Sequence, residues 1–239
     1  MTKTLRLHGY PVSNYFNIAH AALLEKAAPF EVVIARASQD QAFLAINPMG
    51  KIPVLETPQG WLGETVAILD YLDETTSEPS LRPAEAYGRA RMRQIINVVQ
   101  IYLEAPVRSL FPGVFMGGSN AQGAVDGTRV MLDRVTRALR ELARPAPYLM
   151  GAALTQADLF LFYNLDIADR VTRFVYGRSL RDEIGGLAEW DALMRARGST
   201  ITVLTEFEIY FSRYLLDHGA AYAPPCPERA TGQGQRSFA

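Results

Sequence analysis

The segment of this chain best suited to bind a ligand through its main chain runs from residue 47 to residue 55 and reads NPMGKIPVL. Pro53 restricts Ile52 to extended backbone, so this segment cannot continue a helix. An X-Pro bond can be cis, and a cis bond here would turn the N–H and C=O of Ile52 outward instead of pairing them within a sheet. An extended, peptide-like ligand can then pair with Ile52 as one more strand. The alternative is a proline-terminated edge strand without a ligand.

Two further places combine polar side chains with the start of a predicted helix. Ser13 and Asn14 follow a Gly-Tyr-Pro break, and either residue is a good N-cap for the apolar-periodic segment 15–26. Thr65, which follows Glu64, stands before a second apolar helix. Each place has a structural explanation as a helix cap, so the local sequence alone does not distinguish a cap from a binding site.

The elements that must position these residues alternate between strands and helices over about the first 75 residues. Apolar spacings predict, in order, a strand at 5–8, a helix at 15–26, a strand at 30–34, a short helical turn at 41–46, a hairpin over 54–62 and a helix from 66. A parallel pair first and a hairpin last predict a mixed four-stranded sheet with helices on its faces.

The second half of the chain has helical spacing throughout. The predicted helices cover 84–103, 124–142, 157–176, 187–197 and 201–216. The segment 157–176 is apolar nearly all round, which predicts a buried central helix. Thr155 and Asp158 have the spacing of a capping box at its start. We predict an α/β domain at 1–76, a linker at 77–86, an all-helical domain at 87–218 and an irregular tail at 219–239.

Composition narrows the function. The net charge of −1 over 239 residues, without a long basic run, argues against nucleic-acid binding. No apolar run is long enough to span a membrane, and the first residues lack a signal-peptide core, so we expect a cytoplasmic protein. The single cysteine, Cys226, excludes a disulfide framework and a cysteine metal cage. His8, His20 and His218 show no metal-ligand spacing, so we interpret them as packing or surface residues and expect no metal.

Four segments together give the chain a resemblance to the soluble glutathione transferases, of a bacterial-like kind with serine in the active-site loop. The segments are LHGYPVS at 7–13, NPMGKIPVL at 47–55, Glu64-Thr65 at a helix start, and Gly151 followed by TQAD at 155–158. The resemblance covers about residues 4 to 217. It implies a thioredoxin-like domain followed by an all-helical domain, usually in a homodimer, with the site in the cleft between domains.

The resemblance also implies glutathione as co-substrate and an electrophilic small molecule as its partner. It places the tripeptide backbone against Ile52, before Pro53, and the γ-glutamyl group against Glu64 and Thr65. A helix that begins near Thr65 offers N–H groups to a carboxylate, and Glu64 can take the ligand ammonium group. The candidates for the glycine carboxylate are Lys51 and Gln39.

Ser13 is the predicted catalytic residue. A hydroxyl that donates to sulfur at the positive end of a helix stabilises a thiolate, which is the nucleophile, over the thiol. The structural alternative is that Ser13 only caps the helix. Tyr10, Asn14 and Tyr15 are competing donors, with Tyr10 first among them because relatives that use tyrosine have it earlier in this loop. The loop has no cysteine, which argues against chemistry by a protein thiol.

Three functions remain open at this point. The first is a glutathione transferase that conjugates electrophiles, as in detoxification. The second is a non-catalytic binding or stress-associated interaction protein, and the third is a glutathione-dependent disulfide reductase, isomerase or dehalogenase. Phe111, Phe115 and Met116, in an irregular Pro/Gly-containing stretch, are candidates for the acceptor pocket but are also typical of a core. The Glu-Thr pair, in place of the more frequent Glu/Gln-Ser, and the extended tail depart from the family pattern.

Overall fold

The first part of the chain forms a four-stranded mixed sheet, and the computed structural model describes residues 4–76 and 79–224. The strands are β1 (Leu5–Gly9), β2 (Phe30–Ile34), β3 (Val54–Thr57) and β4 (Gly60–Leu62), and the helices are α1 (Asn14–Glu25), α2 (Gln41–Leu44) and α3 (Thr65–Thr75). The strand order is β2-β1-β3-β4. β1 runs parallel to β2 and antiparallel to β3, and β3 and β4 form the hairpin. The predicted thioredoxin-like arrangement is confirmed.

The register places the most apolar positions at the centre of the sheet. Leu7 of β1 lies opposite Val32 on one side and Leu55 on the other, and both leucines are fully buried. α1 supplies Phe16 and Leu23 to the same core. Because β1 is a central strand, its end and the following loop bring Ser13 over the carboxyl end of the sheet, where ligands of such folds bind.

The second part of the chain is helical. Its helices are α4 (Ala86–Val98), α5 (Ala105–Arg108), α6 (Phe111–Phe115), α7 (Gln122–Leu142), α8 (Gln156–Tyr176), α9 (Leu180–Ile184), α10 (Ala188–Arg195) and α11 (Gly198–Asp217), with a π-helical segment, Val99–Glu104, between α4 and α5. α8 is buried along most of its length, as predicted. Its capping box is confirmed: the Asp158 carboxylate accepts from the Thr155 N–H at 2.8 Å.

Segments 99–104 and 111–115 of the helical half are among those that differ from the sequence prediction. The helix predicted over 84–103 is α-helical only to Val98 and becomes π-helical from Val99. Pro106 lacks the N–H that an α-helix needs there, which favours an altered turn before it. The stretch from Phe111, predicted to be irregular, forms the short helix α6, because Pro112 stands in the first turn, where proline is tolerated.

The beginning of the tail packs on the helical half. Tyr222 donates its main-chain N–H to the Val114 carbonyl at 3.1 Å, and its ring meets Phe115 edge-on at 5.3 Å between centroids. Residues 219–224 form neither helix nor strand, and the rest of the predicted tail, with Cys226, lies outside the described residues. No helix in the described ranges is long and apolar enough to cross a membrane.

Candidate functional site

A cleft of about 560 Å³ lies between the sheet and the helical half. The sheet half lines it with Tyr10, Ser13, Lys51 and Ile52, and the helical half lines it with Phe111, Phe115, Met116, Phe211 and Tyr214. One wall therefore carries polar groups from loops that end strands, and the other is mainly aromatic. The predicted acceptor-pocket residues Phe111, Phe115 and Met116 all lie on the aromatic wall.

Ser13 is the N-cap of α1 and also faces the cleft. Its backbone is extended (φ −81°, ψ 117°), and its Oγ accepts the main-chain N–H of Phe16 at 3.3 Å. Its own N–H donates to the Tyr10 carbonyl at 2.9 Å, which closes the loop between β1 and α1. The cap bond uses an oxygen lone pair and leaves the hydroxyl hydrogen available. The two roles predicted for Ser13, helix cap and thiolate donor, are compatible in this geometry.

Asn14 is committed to a buried polar cluster behind Ser13. Its amide nitrogen donates to Asn164 Oδ1 at 2.6 Å and to Glu104 Oε1 at 3.3 Å. Its oxygen accepts from Arg108 Nη2 at 2.8 Å. With both N–H groups and the oxygen engaged, Asn14 has little capacity left for a ligand sulfur.

The two tyrosines of the loop have different surroundings. The Tyr15 hydroxyl donates to Glu104 Oε2 at 3.1 Å. Burial, followed by the Glu104 charge, holds the pKa of Tyr15 well above its usual range, so this hydroxyl stays protonated and bound to the carboxylate. Tyr10 lies at the cleft with its ring edge-on to Tyr210 at 5.4 Å, and within the described ranges its hydroxyl has no hydrogen-bond partner. Ser13 and Tyr10 are thus the two loop hydroxyls with an uncommitted hydrogen.

Ile52 presents main-chain groups at the cleft. The Ile52-Pro53 peptide bond is cis, and Pro53 is buried beneath it. In the described part of the chain, neither the N–H nor the C=O of Ile52 forms a hydrogen bond. The preceding carbonyl, that of Lys51, is occupied, since it accepts from Asn47 Nδ2 at 2.8 Å. Ile52 therefore keeps both main-chain groups that an extended ligand would need.

Glu64 has a strained backbone immediately before α3. Its φ of 57° and ψ of 114° lie where residues other than glycine are rare. Strain of this kind costs about 1–3 kcal/mol and concentrates at functional sites. The Glu64 side chain is exposed, whereas Thr65, the first residue of α3, is buried. Neither residue lines the 560 Å³ cleft itself.

The Asn47 side chain connects the loop at Ile52 with the segment before Glu64. Sequence reasoning gave this residue no role. Its amide holds the Lys51 carbonyl, and its Oδ1 accepts the Met49 N–H at 3.2 Å. The same side chain packs on Gly63, where an added Cβ would lie only 3.1 Å from it. The available signal was the asparagine that opens the NPMG turn, because asparagine side chains in turns hydrogen-bond the main chain two residues on.

Lys51 and Gln39 differ in their relation to the cleft. Lys51 is exposed and lines the cleft. Gln39 lies outside its lining, with Nε2 3.4 Å from the Met49 carbonyl. Gly50, which has a φ of +64°, leaves space for that arrangement, because a Cβ there would stand 2.3 Å from the Gln39 amide nitrogen. Of the two candidates for the glycine carboxylate, only Lys51 stands beside Ile52 at the cleft.

Sequence reasoning gave no site role to several residues of the cleft lining, among them Arg36, Arg108, Tyr214 and His218. Arg36 follows β2 and covers the Tyr10 ring, with its Cζ 4.3 Å from the ring centroid. Arg108, from α5, binds Glu104 through Nε at 2.7 Å. Tyr214 stacks at 4.0 Å on His218, which was predicted to be a packing or surface residue but lines the cleft. The described residues contain no group of His, Cys, Asp and Glu that could hold a metal ion.

Comparisons with known proteins agree with this geometry. The family model described as the N-terminal domain of glutathione S-transferase matches residues 7–80. A glutathione S-transferase of Pseudomonas putida is 39% identical over 171 residues, which are 72% of this chain and 78% of that protein. The structure of a glutathione S-transferase from Rhodospirillum rubrum is similar with a TM-score of 0.70 and 28% identity, covering 84% of this chain and 92% of its own.

Other relatives belong to different functional classes. A probable elongation factor 1-gamma of Arabidopsis thaliana is 31% identical over 140 residues, which are 58% of this chain but only 34% of that longer protein. The match to the Pseudomonas protein is more identical, covers more of this chain and spans most of its relative. With the fold and the cleft described above, it shows that this chain belongs to the glutathione S-transferase family.

Proposed function

We propose that this protein is a glutathione transferase in which Ser13 activates the thiol of glutathione for attack on an electrophilic small molecule. The observation that carries the proposal is the position of the Ser13 hydroxyl, which lies at the cleft and at the N-terminus of α1 with its hydrogen uncommitted. The family membership supports glutathione as co-substrate.

The chemistry follows from the pKa of a thiol. Near 8.5, this pKa leaves only a few per cent of free glutathione as the nucleophilic thiolate at neutral pH. A hydrogen bond from Ser13 and the positive end of α1 both favour the thiolate, and each unit by which they lower the thiol pKa corresponds to about 1.36 kcal/mol. The thiol proton goes to solvent, and the sulfur forms a bond to the electrophilic carbon while a leaving group departs with its electron pair or, in an addition, the π electrons shift to the neighbouring atom, which takes a proton from solvent.

The remaining candidates have complementary roles toward the tripeptide. Ile52, whose main-chain N–H and C=O are unpaired in the described residues, pairs with the ligand main chain as an added strand. Glu64 takes the ammonium group, and Thr65 takes the γ-glutamyl carboxylate at the start of α3. The glycine carboxylate goes to Lys51, with Gln39 as the weaker candidate. We further propose that the protein works as a cytoplasmic homodimer.

The test is a calorimetric titration with reduced glutathione, combined with ultraviolet detection of the bound thiolate. Ser13→Ala should retain binding, lose the thiolate absorbance and lower the conjugation rate by about a hundredfold, the effect of removing one well-placed donor. Ser109→Ala is the matched control, because that exposed hydroxyl bonds the Pro106 carbonyl outside the cleft. A thiolate signal that persists in Ser13→Ala and disappears in Tyr10→Phe would move the role to Tyr10.

Thr65→Val tests the binding site separately from the chemistry. The substitution keeps the shape of a buried residue and removes the hydroxyl, so affinity for glutathione should fall by about tenfold through loss of one bond to a charged group. Thr75→Val is the control at the other end of α3, where the hydroxyl bonds the Tyr71 carbonyl. Equal affinities of the two variants would remove Thr65 from the proposal.

A second candidate is a non-catalytic binding module, which the similarity to elongation factor 1-gamma favours. A module of that kind does not require a hydroxyl at the cleft together with an unpaired Ile52 main chain. Absence of glutathione binding at millimolar concentration would support it. If glutathione binds without conjugation, assays with mixed disulfides and with cis double-bond substrates test the reductase and isomerase alternatives.

A further inference from the structure

The cleft carries an excess of positive charge. Among the described residues, its lining includes the side chains of Arg36, Lys51 and Arg108 and the imidazole of His218, but no aspartate or glutamate. The other large side chains of the lining are aromatic or aliphatic, the latter being Ile52, Met116 and Ile167. A low-dielectric wall next to cations strengthens their attraction for an anion.

Arg36 is a cleft cation without a counter-charge in the described part of the chain. Its guanidinium lies over the Tyr10 ring and, within the part of the chain that the structure describes, has no carboxylate within 4 Å. The ring attracts the cation without neutralising it. A planar guanidinium in this position offers a pair of parallel N–H donors that matches a carboxylate or sulfonate.

Arg108 approaches the cleft from the opposite wall. Glu104 and Asn14 engage its Nε and Nη2, whereas Nη1 has no partner in the described ranges. The side chain is 47% exposed, and its Cζ lies 5.1 Å from the centroid of the Phe111 ring. Glu104 therefore holds the Arg108 guanidinium on the side away from the cleft, and the Nη1 group stays available beside the aromatic wall.

Tyr214 lines the same cleft as the two arginines. Burial raises the pKa of Tyr214, and the charges of both Arg36 and Arg108 act in the opposite direction. Each guanidinium is thus close enough to the phenol to influence it. The His218 ring stacks on the Tyr214 ring, so polar side chains lie together where the two halves of the molecule meet.

From this arrangement we propose that the preferred acceptor is an aromatic electrophile bearing a carboxylate or sulfonate. Arg36 and Arg108 bind its anionic group, and Phe111 and Tyr214 pack against its ring. The inference rests on the proposed function, because it names the substrate class of the same site. It assigns the carboxylates of glutathione to Thr65 and Lys51, which leaves the two arginines for the second substrate.

The probes are 4-chloro-3,5-dinitrobenzoate and its methyl ester, which differ in charge. In both, the glutathione sulfur bonds to the ring carbon that carries chlorine, the carbon–chlorine bond breaks, and chloride leaves with the electron pair. The measured quantity is kcat/KM for each probe divided by its uncatalysed rate constant with glutathione. This normalisation removes the difference in intrinsic reactivity between acid and ester.

In the wild type, the normalised kcat/KM should be about tenfold or more higher for the acid than for the ester, as expected for one charge-assisted hydrogen bond. Arg36→Gln should lower this acid-to-ester ratio by about tenfold. Arg36→Lys should lower it by less, because lysine keeps the positive charge and loses only the planar pair of N–H donors. Arg213→Gln is the matched control, because it removes the same charge from a side chain that is 76% exposed on α11 and pairs with Asp217. Added salt should also reduce the ratio in the wild type.

Three outcomes overturn the inference. Equal normalised values for acid and ester would show that the cleft does not select an anion, while ester turnover would leave the proposed function intact. A calorimetric loss of glutathione affinity in Arg36→Gln as large as the loss in acid turnover would assign Arg36 to the co-substrate. Failure of both probes together with absence of glutathione binding would refute the proposed function and the inference with it.

Discussion

The two ends of α1 both carry a buried charged cluster that connects the sheet to the helical half, and only one of them reaches the cleft. At the C-terminal end, Lys26 bonds Asp73 at 2.7 Å and the Pro79 carbonyl at 2.8 Å, with no exposed surface on either charged side chain. Asp73 also accepts from Gln156 of α8 at 2.9 Å. We call Lys26, Asp73 and Gln156 the closed cluster.

At the N-terminal end, roughly 18 Å away along the helix, stands the cluster of Asn14, Glu104 and Arg108. Glu104 is buried, but Arg108 is almost half exposed at the cleft. We call these three residues the open cluster. The difference shows two uses of a buried ion pair in this fold. Where both partners are enclosed, the pair stabilises the structure. Where one partner reaches solvent, that partner is also available to bind a ligand.

The closed cluster should give the largest effect on stability. Lys26→Met leaves Asp73 buried without a counter-charge, which costs about 3–5 kcal/mol of unfolding free energy. Chemical unfolding at fixed protein concentration measures it. The double variant Lys26→Met with Asp73→Leu should recover part of the loss, since it removes the stranded charge. A loss below about 1 kcal/mol in the single variant would show that water reaches this end of α1.

His20 lies on α1 between the two clusters and is buried. Its nearest ion-pair partner, Glu206, is 3.8 Å away. It therefore shows what burial of a titratable group costs where no close counter-charge compensates it. Burial lowers the pKa of His20 to about 4. The unfolded chain, with a pKa near 6.5, binds the proton first as pH falls, so this histidine destabilises the fold progressively between pH 6.5 and 4. At pH 4.5 the cost is about 2.5 kcal/mol.

The measurement is the unfolding free energy of wild type and of His20→Phe at pH 7.5 and 4.5. The difference between the two proteins isolates the effect of the histidine from that of the carboxylates that titrate in the same range. Glu206, whose pKa burial raises, takes up a proton in the folded state and partly offsets the loss. Parallel pH curves for the two proteins would show that His20 is not the group responsible.

Glu104→Gln tests the open cluster with a smaller expected cost. The substitution preserves shape but replaces one of the two accepting oxygens with an N–H donor and removes the charge opposite Arg108, which water already reaches, so we expect about 1–2 kcal/mol of destabilisation. Chemical unfolding of Glu104→Gln under the same conditions as Lys26→Met measures this loss of unfolding free energy. A loss as large as that of Lys26→Met would mean that the open cluster is as enclosed as the closed one.

Tyr15→Phe should give the smallest effect. It removes one hydrogen bond to Glu104, which remains paired with Arg108, so the unfolding free energy should fall by about 0.5–1.5 kcal/mol. The thiolate absorbance of bound glutathione should not change, because the Tyr15 hydroxyl is directed to Glu104. Loss of that absorbance would instead make Tyr15 the thiol activator.

The sequence specified the sheet and the turn at Ile52 because both depend on short-range chemistry. Alternating apolar residues define the strands, Pro53 excludes a helix, and the Thr155–Asp158 spacing defines a cap within four residues. The polar wall of the cleft was predictable for the same reason, since Ser13 and Ile52 lie in loops that directly join predicted elements.

The aromatic and cationic wall required the tertiary structure. Arg36, Arg108 and Tyr214 come from three distant parts of the chain, and each alone has the composition of an ordinary surface position. α6 was obscured by Pro112 and Gly113, which indicate a break except in the first turn of a helix. The π-helical turn before Arg108 also changes which side of the helix each residue faces, so the helical periodicity of the sequence does not predict the position of this arginine.

The cap at Ser13 has a consequence for rotational freedom. An isolated hydroxyl samples several orientations, and ordering it on binding a ligand costs entropy. Here the Phe16 N–H occupies one side of the oxygen, so the O–H bond cannot turn toward that amide and samples fewer directions. Folding of α1 therefore restricts this rotor before any ligand arrives, and the same bond that starts the helix lowers the entropic cost of holding a sulfur atom.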